Sequence, residues 1–303
     1  MAFDLYFAGS STPVTEQYIQ THALCRLQSQ LNDRTNIKRY VDAGFQGKLF
    51  IDSGAYTAYT RQKEVDVDEY IAYLNSMDDY LTIYAQVDKI PGRHGHEKTI
   101  EDITEAPKIS WENYLYMKDR VKSPDKLLPI FHRRESWSYL EQMLETTFDG
   151  KHIPYIGIAA TTDSSTNEKE AWFQDVFRII KKSSNPNVKT HAFGMTSLRL
   201  LESFPFTSAD STSWIMTAIN GGIMTPYGVI IVSERQGHIK NNIKNQSKGA
   251  QESFQNYLDE IGITLEELQT EPTARLIANI KYLVKWTENY QYRPIKTRKK
   301  KLF

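Results

Sequence analysis

The stretch Lys48-Leu-Phe-Ile-Asp-Ser-Gly-Ala-Tyr56 contains a short apolar run that ends in an aspartate and is followed by small residues. This pattern is typical of a buried strand whose last residue presents a carboxylate to a cleft. A second stretch, Phe206-Thr-Ser-Ala-Asp-Ser-Thr-Ser-Trp214, places Asp210 in a similar setting. If the fold brings the two strand ends together, Asp52 and Asp210 form an acid and nucleophile pair suited to chemistry at a sugar carbon.

Further β-rich runs recur along the chain, and segments with helical spacing of apolar residues lie between them. The predicted strands are Asp4–Gly9, Lys48–Asp52, Leu81–Asp88, Leu127–His132, Tyr155–Ala160, Thr190–Gly194, Ser208–Ser211 and Gly228–Ser233. The predicted helices are Val67–Tyr80, Ser136–Phe148, Glu168–Ser183, Ser197–Phe204, Gln251–Ile261 and Thr264–Tyr290, with Asp66 and Ser136 as N-caps. Eight strands that alternate with helices predict an α/β fold, a (β/α)8 TIM barrel with a helical, basic C-terminal extension. We expect one domain over residues 1–303, with the catalytic barrel in 1–234 and a basic loop, closing helices and a basic tail in 235–303.

The composition limits the classes of protein that fit. The 303 residues include 37 basic and 37 acidic ones, so net charge alone predicts no nucleic-acid or membrane partner. Two segments, 235–248 and 293–301, are locally basic, and each is open to two interpretations, solvated mobile surface or contact with phosphate groups. Cys25 is the one cysteine, which excludes a disulfide framework and a cysteine-cluster zinc site within one chain. Because no signal-peptide or membrane-helix pattern is present, we expect a soluble protein in the cytoplasm.

In barrels of this type the chemistry lies at the C-terminal ends of the strands. The polar groups at those predicted ends are therefore the candidates for a site: Asp52, Asp88, His132, the Gly157–Ala160 backbone, His191 and Asp210. No glycine-rich dinucleotide or P-loop pattern follows any predicted strand, which disfavours a nucleotide cofactor.

Several of these segments resemble, in the same order along the chain, motifs of the tRNA-guanine transglycosylase superfamily and its DNA-acting relatives. Asp52-Ser-Gly-Ala-Tyr56 is similar to that family's Asp-Ser-Gly-Gly-Phe motif, and Ala85-Gln-Val-Asp88 is similar to the strand end that reads guanine. Tyr155-Ile-Gly-Ile-Ala-Ala160 resembles a Gly-Leu-Ala-Val-Gly strand. His191-Ala-Phe-Gly-Met195, followed by Ser208-Ala-Asp210, resembles the family's paired Met-Gly-Val-Gly and Phe-Asp-Cys segments. The resemblance covers residues 48–233, most of the predicted barrel.

The resemblance implies a base-exchanging glycosyltransferase in which Asp210 is the covalent nucleophile and Asp88 reads the guanine edge. Asp52 matches a catalytic or base-contacting aspartate of the family, and it is our candidate for the group that gives and takes the proton of the base. It implies chemistry that requires no metal, cofactor or redox step. The other substrate-binding candidates lie beside these strand ends: Ser53, Gly54, Tyr56, Phe131, His132, Gly157 and His191. The candidates for contact with a nucleic-acid backbone are basic: Arg235, Lys240, Lys244, Lys248, Arg298, Lys299 and Lys300.

Two departures from the family bear on the substrate. The tRNA enzymes carry a cysteine-rich zinc site after the barrel, which one cysteine cannot build, and this chain is short for a tRNA enzyme. Both points favour the DNA-acting branch of phages and bacteria (DpdA-like proteins), which exchanges guanine in DNA for a 7-deazaguanine such as 7-cyano-7-deazaguanine. The expected partners are then DNA and the free deazaguanine base, and the cytoplasm is that of the host if a phage encodes the protein.

Other interpretations of the same residues stay open. If the protein is a tRNA-modifying enzyme, the reaction is the same and the substrate is tRNA. If it is a noncatalytic barrel, it would bind nucleic acid through its basic segments. A metal-dependent barrel hydrolase could use the strand-end aspartates and histidines as ligands, and a glycosidase could use the carboxylate pair on sugars. Each candidate also has a structural alternative: Asp52 and Asp210 as caps, Asp88 as a turn residue, and His132 and His191 as hydrogen-bonded core residues.

Overall fold

Short buried strands alternate with amphipathic helices in the computed structural model of this chain. The structure describes residues 3–9, 11–160, 164–195 and 197–295, and for 32–36 it describes the backbone alone. The strands are β1 (Asp4–Phe7), β2 (Cys25–Ser29), β3 (Lys48–Asp52), β4 (Ile83–Ala85), β5 (Leu127–Leu128), β6 (Ile130–His132), β7 (Thr147–Phe148), β8 (Lys151–His152), β9 (Tyr155–Ala159), β10 (Lys189–Phe193), β11 (Ser208–Ser211), β12 (Gly222–Thr225) and β13 (Gly228–Ile231). The helices are α1 (Pro13–His22), α2 (Gln30–Asp42), α3 (Ala55–Thr60), α4 (Val67–Met77), α5 (Ile100–Lys118), α6 (Trp137–Glu145), α7 (Thr166–Lys182), α8 (Leu198–Ser203), α9 (Ser213–Ile219), α10 (Lys248–Ile261), α11 (Leu265–Thr270) and α12 (Pro272–Glu288).

The main sheet has the strand order β5-β4-β3-β2-β1-β11-β10-β9-β6. The two strands at its ends, β5 and β6, are consecutive pieces of one stretch, separated by Pro129, which has no N–H to offer a neighbouring strand. β5 pairs in parallel with β4, whereas β6 pairs in parallel with β9. Because one stretch borders both β4 and β9, the sheet closes on itself with its strands in chain order. The predicted (β/α)8 barrel with C-terminal helices is confirmed.

The membership of the barrel differs from the prediction at two strands. The predicted strand Gly228–Ser233 is wrong as a barrel strand, because β13 pairs antiparallel with β12 in a separate hairpin. Its place is taken by β2, which sequence reasoning missed.

The predicted long helix Thr264–Tyr290 is wrong as one element, since it breaks before Pro272, which begins α12. The predicted N-caps Asp66 and Ser136 are confirmed by their hydrogen bonds to Glu69 N and Ser138 N.

Arg26 shows why β2 was hard to recognise. The strand reads Cys-Arg-Leu-Gln-Ser, and both Arg26 and Gln28 are completely buried. Arg26 donates from Nη1 to the Phe7 carbonyl at 2.5 Å, and its Nη2 lies 3.1 Å from both carboxylate oxygens of Glu16 on α1. These partners allow a charged side chain to lie in the core, whereas in the sequence a polar residue at such positions argues against a buried strand.

Replacing Arg26 with alanine is expected to lower the free energy of unfolding by about 3–5 kcal/mol, because it removes a completely buried side chain and takes the guanidinium away from the partly buried carboxylate of Glu16. The matched control is Arg178→Ala, which breaks an exposed pair with Asp175 at 2.7 Å and should cost less than about 1 kcal/mol. Urea unfolding at neutral pH measures both. Equal losses in the two variants would contradict the idea that burial gives the Arg26 pair its importance.

The described chain divides into two compact units. The first comprises the described residues of 1–26, 45–47 and 211–290 and has a core of apolar side chains from the β12–β13 hairpin and from α10 to α12, including Ile223, Phe254, Leu258 and Ala278. The second comprises 27–44, 48–210 and the described residues after 290, and it contains the strand ends predicted to hold the site. No helix in the described ranges is both long enough and apolar enough to cross a membrane.

Candidate active site

Strand geometry brings the predicted polar residues to one end of the second unit. Asp52 is the last residue of β3 and His132 is the last residue of β6, while Asp88 follows β4 by three positions. Asp210 lies in β11, whose register pairs His191 with Ser208 and Ala192 with Ala209. Because parallel strands end at the same side of a sheet, these side chains are collected at the C-terminal edge.

Several of the same side chains also share a face of the sheet. The ring of Phe50 on β3 lies 4.7 Å from the imidazole of His191 and 5.8 Å from the ring of Phe193, both on β10. Successive side chains of a strand point to opposite faces, so Asp52 lies on the face of Phe50, and Asp210 lies on the face of Ser208. Ser208 Oγ lies 2.5 Å from His191 Nδ1, so Ser208 shares the face of His191 and Phe50, and the two predicted catalytic aspartates point to the same side.

Asp210 is almost fully buried, and its two hydrogen-bond contacts in the described structure are both made by one carboxylate oxygen. Its Oδ1 accepts a hydrogen bond from Gly194 N at 2.8 Å and lies 3.2 Å from His191 Nε2. Among the described residues, no hydrogen bond reaches the other carboxylate oxygen, Oδ2. One oxygen of Asp210 is thus anchored and the other is available to a ligand.

The Asp-Ser-Gly sequence forms the turn between β3 and α3. Gly54 N donates to Asp52 Oδ2 at 3.1 Å, and Ala55 N donates to Ser53 Oγ at 3.3 Å. Gly54 has a φ of 78°, and a Cβ at this position would lie 2.8 Å from the side chains of Leu31 and Ser29. Glycine is required here by both the left-handed backbone and the close packing, and Ser53 and Gly54 shape the turn that holds Asp52.

The electrostatic setting of Asp52 is unusual. Burial, then the charge of Asp88 and, less strongly, that of Asp210 raise the pKa of its carboxyl, the amides of Gly54 and Ser53 oppose the shift, and the net pKa is about 7. The three aspartates are therefore close enough to influence each other's protonation. A carboxyl that titrates near neutral pH is suited to both give and take a proton.

Asp88 is paired with His132. His132 Nε2 lies 2.9 Å from Asp88 Oδ2, a distance for an ion pair, although the ring N–H is not aligned for a regular hydrogen bond. Burial alone lowers the pKa of His132, but Asp88 and then Glu135 outweigh it, and the pKa is raised. Glu135 accepts a hydrogen bond from His132 N at 3.0 Å, and burial raises the pKa of its own carboxyl. Glu135 was missed by sequence reasoning, and its position three residues after a strand end was the available signal.

Three other predicted substrate-binding residues, Phe131, Gly157 and Tyr56, lie in different surroundings from one another. Phe131 is completely buried, and its ring packs at 5.7 Å from Trp137 and 5.9 Å from Trp172, on the opposite face of β6 from His132. The prediction that Phe131 binds substrate is therefore wrong, because the alternation of β6 turns this ring toward the helices. Gly157 makes room for Phe193, whose ring would lie 2.4 Å from a Cβ there. Tyr56 is exposed on α3.

A cavity of about 440 Å³ lies beside Asp88 in the second unit. It is bordered by α3, by the segment that follows α3 and by the segment between β4 and α5, with Tyr59, Lys89, Arg93 and His94 among its walls. The Tyr59 ring lies 5.5 Å from that of His94. Over the described residues, no group of three or more histidine, cysteine, aspartate or glutamate side chains is arranged to hold a metal ion.

The predicted basic segment 235–248 lies in the first unit and is a folded loop. Side-chain amides hold it together: Asn242 donates to the carbonyls of Ser233 and Gln236, and Asn245 donates to those of Gly237 and Ile239. Its exposed cationic side chains are those of Arg235, Lys240, Lys244 and Lys248. Contact with phosphate groups stays a prediction for them, and Arg298, Lys299 and Lys300 lie outside the described residues.

No protein-family model and no curated protein matches this chain. The resemblance to the transglycosylase superfamily therefore stays a prediction based on the motifs.

Proposed function

We propose that this protein is a DNA-guanine transglycosylase, which exchanges guanine in DNA for a 7-deazaguanine such as 7-cyano-7-deazaguanine through a covalent aspartyl-deoxyribosyl intermediate. The observation that supports the proposal most directly is the cluster of Asp52, Asp88 and Asp210. These carboxylates are electrostatically coupled at the strand ends, and one of them has a pKa of about 7. Chemistry at a glycosidic carbon needs such a pair, an anion beside the sugar and an acid beside the leaving group.

In the first half of the reaction, Asp210 Oδ2 attacks C1′ as the bond from C1′ to the guanine nitrogen breaks. Positive charge develops at C1′ in the transition state, and the carboxylate stabilises it before the new C–O bond forms. Asp52 in its acid form gives its proton to the departing guanine, which leaves as a neutral base. The products are an ester between Asp210 and deoxyribose, free guanine and ionised Asp52.

In the second half, the incoming deazaguanine loses its N9 proton to Asp52 and attacks C1′, which releases Asp210 as a carboxylate. Two displacements on opposite faces of the sugar retain its configuration. Asp52 then returns to its acid form, and no proton is gained or lost over the cycle.

Charge coupling assists both proton transfers. The charge of Asp210 is one of the causes that raise the pKa of Asp52. When Asp210 becomes a neutral ester, that contribution disappears, so Asp52 gives up its proton more readily as the guanine leaves. When the ester is displaced, the charge returns and Asp52 holds a proton more strongly.

Base recognition is assigned to Asp88. Its carboxylate accepts hydrogen bonds from N1–H and the exocyclic amine of guanine, while His132 at 2.9 Å orients it. Because position 7 of the base lies on the opposite edge, a deazaguanine with a substituent there presents the same groups to Asp88. Flipping the target base out of the duplex costs a few kcal/mol, and the exposed cations of the 235–248 loop are the proposed contacts with the backbone.

The test is base exchange by purified protein, with labelled guanine or labelled 7-cyano-7-deazaguanine offered together with DNA and, separately, with tRNA. Incorporation into DNA is expected. Incorporation only into tRNA would support the proposed reaction but show that the substrate is tRNA. Nucleic-acid binding without incorporation into either substrate would favour a noncatalytic barrel. Loss of incorporation on treatment with a chelator would favour the metal-dependent alternative.

A further inference from the structure

A line of buried polar groups leads from β9 to Asp210. The Tyr155 hydroxyl lies 2.6 Å from Ser208 Oγ, and Ser208 Oγ lies 2.5 Å from His191 Nδ1. The other ring nitrogen, His191 Nε2, lies 3.2 Å from Asp210 Oδ1. Ser208 and His191 are completely buried, and the four residues come from three adjacent strands, β9, β10 and β11.

For an ionised Asp210 and a neutral His191, the proton count along this line selects one of the two ring tautomers. An ionised carboxylate can only accept hydrogen bonds, so His191 Nε2 must carry the proton that faces Asp210. In a neutral imidazole Nδ1 then has a lone pair and needs a donor, which the Ser208 hydroxyl supplies. Ser208 Oγ in turn accepts from the Tyr155 hydroxyl. The opposite direction would leave two acceptors, Nε2 and Oδ1, facing each other at 3.2 Å.

We propose that Tyr155, Ser208 and His191 form a positioning relay that fixes the Nε2–H tautomer of His191, anchors Asp210 through Oδ1 and leaves Oδ2 directed to the substrate. This inference rests on the proposed function for its kinetic consequence, because Asp210 is the nucleophile there. His191 acts through Asp210 and is a positioning residue. Gly194 N, 2.8 Å from the same Oδ1, completes the anchor.

Packing around the imidazole supports the same role. The ring of His191 contacts Phe50 at 4.7 Å and Phe193 at 4.5 Å, both in edge-to-face geometry, so its orientation is restrained by two apolar neighbours. The residue types serine, histidine and aspartate also occur in hydrolytic triads, but Ser208 is inaccessible here and its oxygen is engaged by Tyr155. The relay therefore ends at Asp210, whose Oδ2 accepts no hydrogen bond from the part of the chain that the structure describes.

The test combines the ring protonation pattern with kinetics. Nitrogen-15 NMR of histidine-labelled full-length protein identifies which nitrogen of His191 carries the proton, with His191→Gln used to assign the signal. We expect a neutral ring with Nε2–H in the wild type, and a shift toward Nδ1–H in Ser208→Ala, because the donor to Nδ1 is lost. In base exchange, Ser208→Ala should lower kcat by about 10- to 100-fold with KM unchanged, because the tautomer shift breaks the charge-assisted hydrogen bond from His191 Nε2 to Asp210.

Two further variants make the result specific. Tyr155→Phe keeps the serine and should lower kcat less than Ser208→Ala does, and it takes the place of Ser208→Ala if that variant unfolds. Tyr84→Phe is the matched control, because it removes another buried tyrosine hydroxyl, one bonded to Ser123 O at 2.6 Å, and should change neither the ring signal nor kcat.

The outcomes separate the relay from the proposed function. A wild-type ring protonated at Nδ1 alone, or a ring signal that neither Ser208→Ala nor Tyr155→Phe alters, would overturn the relay. The expected ring signals in a protein that exchanges no base would uphold the relay's geometry and overturn the proposed function.

Discussion

Asp210→Asn is expected to reduce base exchange by about 10⁴-fold or more, the scale seen when a covalent nucleophile is removed. An amide cannot form the ester with C1′, but it has the same size as the carboxylate. Its carbonyl oxygen can still accept from Gly194 N and from His191 Nε2, the two groups that contact Oδ1 in the wild type. Folding and DNA binding should therefore persist while the chemistry stops.

Two measurements check this. Single-turnover exchange with labelled base gives the rate, and denaturing electrophoresis after acid quench detects the covalent protein–DNA adduct, which should form with the wild type and be missing in the variant. Asp175→Asn is the matched control, because Asp175 is an exposed aspartate on α7 paired with Arg178. Adduct formation by Asp210→Asn would contradict the assignment of Asp210 as the nucleophile. Asp52 would then be the first other carboxylate to test.

Asp52→Asn is expected to reduce exchange by about 10²- to 10⁴-fold, the usual contribution of a general acid or base. Burial and the neighbouring charges raise the wild-type pKa to about 7, so the rate of adduct formation should fall as pH rises through that value. The variant should lose this inflection. A DNA substrate that carries 7-methylguanine provides the sharpest control, because that base departs neutral without an added proton and should form the adduct at a comparable rate with either protein.

The same carboxyl also links stability to pH. Because its folded-state pKa is raised, the folded protein holds a proton that the unfolded chain releases above its ordinary pKa of about 4. From about pH 4 to pH 7 this group therefore lowers the free energy of unfolding, by at most about 1.4 kcal/mol per pH unit. Urea unfolding should show Asp52→Asn gaining stability relative to the wild type over that interval. An unchanged difference across the interval would mean that Asp52 is ionised throughout.

The local sequence pattern was sufficient to predict much of the fold and the strand-end positions of Asp52 and Asp210. An apolar run followed by Asp-Ser-Gly predicts a strand, a carboxylate at its end and a tight turn, because burial and the left-handed Gly54 are both local requirements. The caps Asp66 and Ser136 were predictable for the same reason. The strand β2 was not, since Arg26 is tolerated in the core through contacts made in the tertiary structure, among them those with Glu16 and the Phe7 carbonyl.

The sequence by itself therefore determined the alternation of strands and helices and the positions of Asp52, Asp88 and Asp210 at strand ends. Only the tertiary structure decided how these groups act. Phe131 and His132 are neighbours in the chain, yet strand alternation sends one to the helices and the other to Asp88. The relay joins Tyr155, His191 and Ser208 across strands, and the pKa of Asp52 depends on charges of residues distant in the chain. Hydrogen bonds and Coulomb interactions act through space, so groups distant in sequence acquire their chemistry only when the closed sheet brings them within a few ångströms.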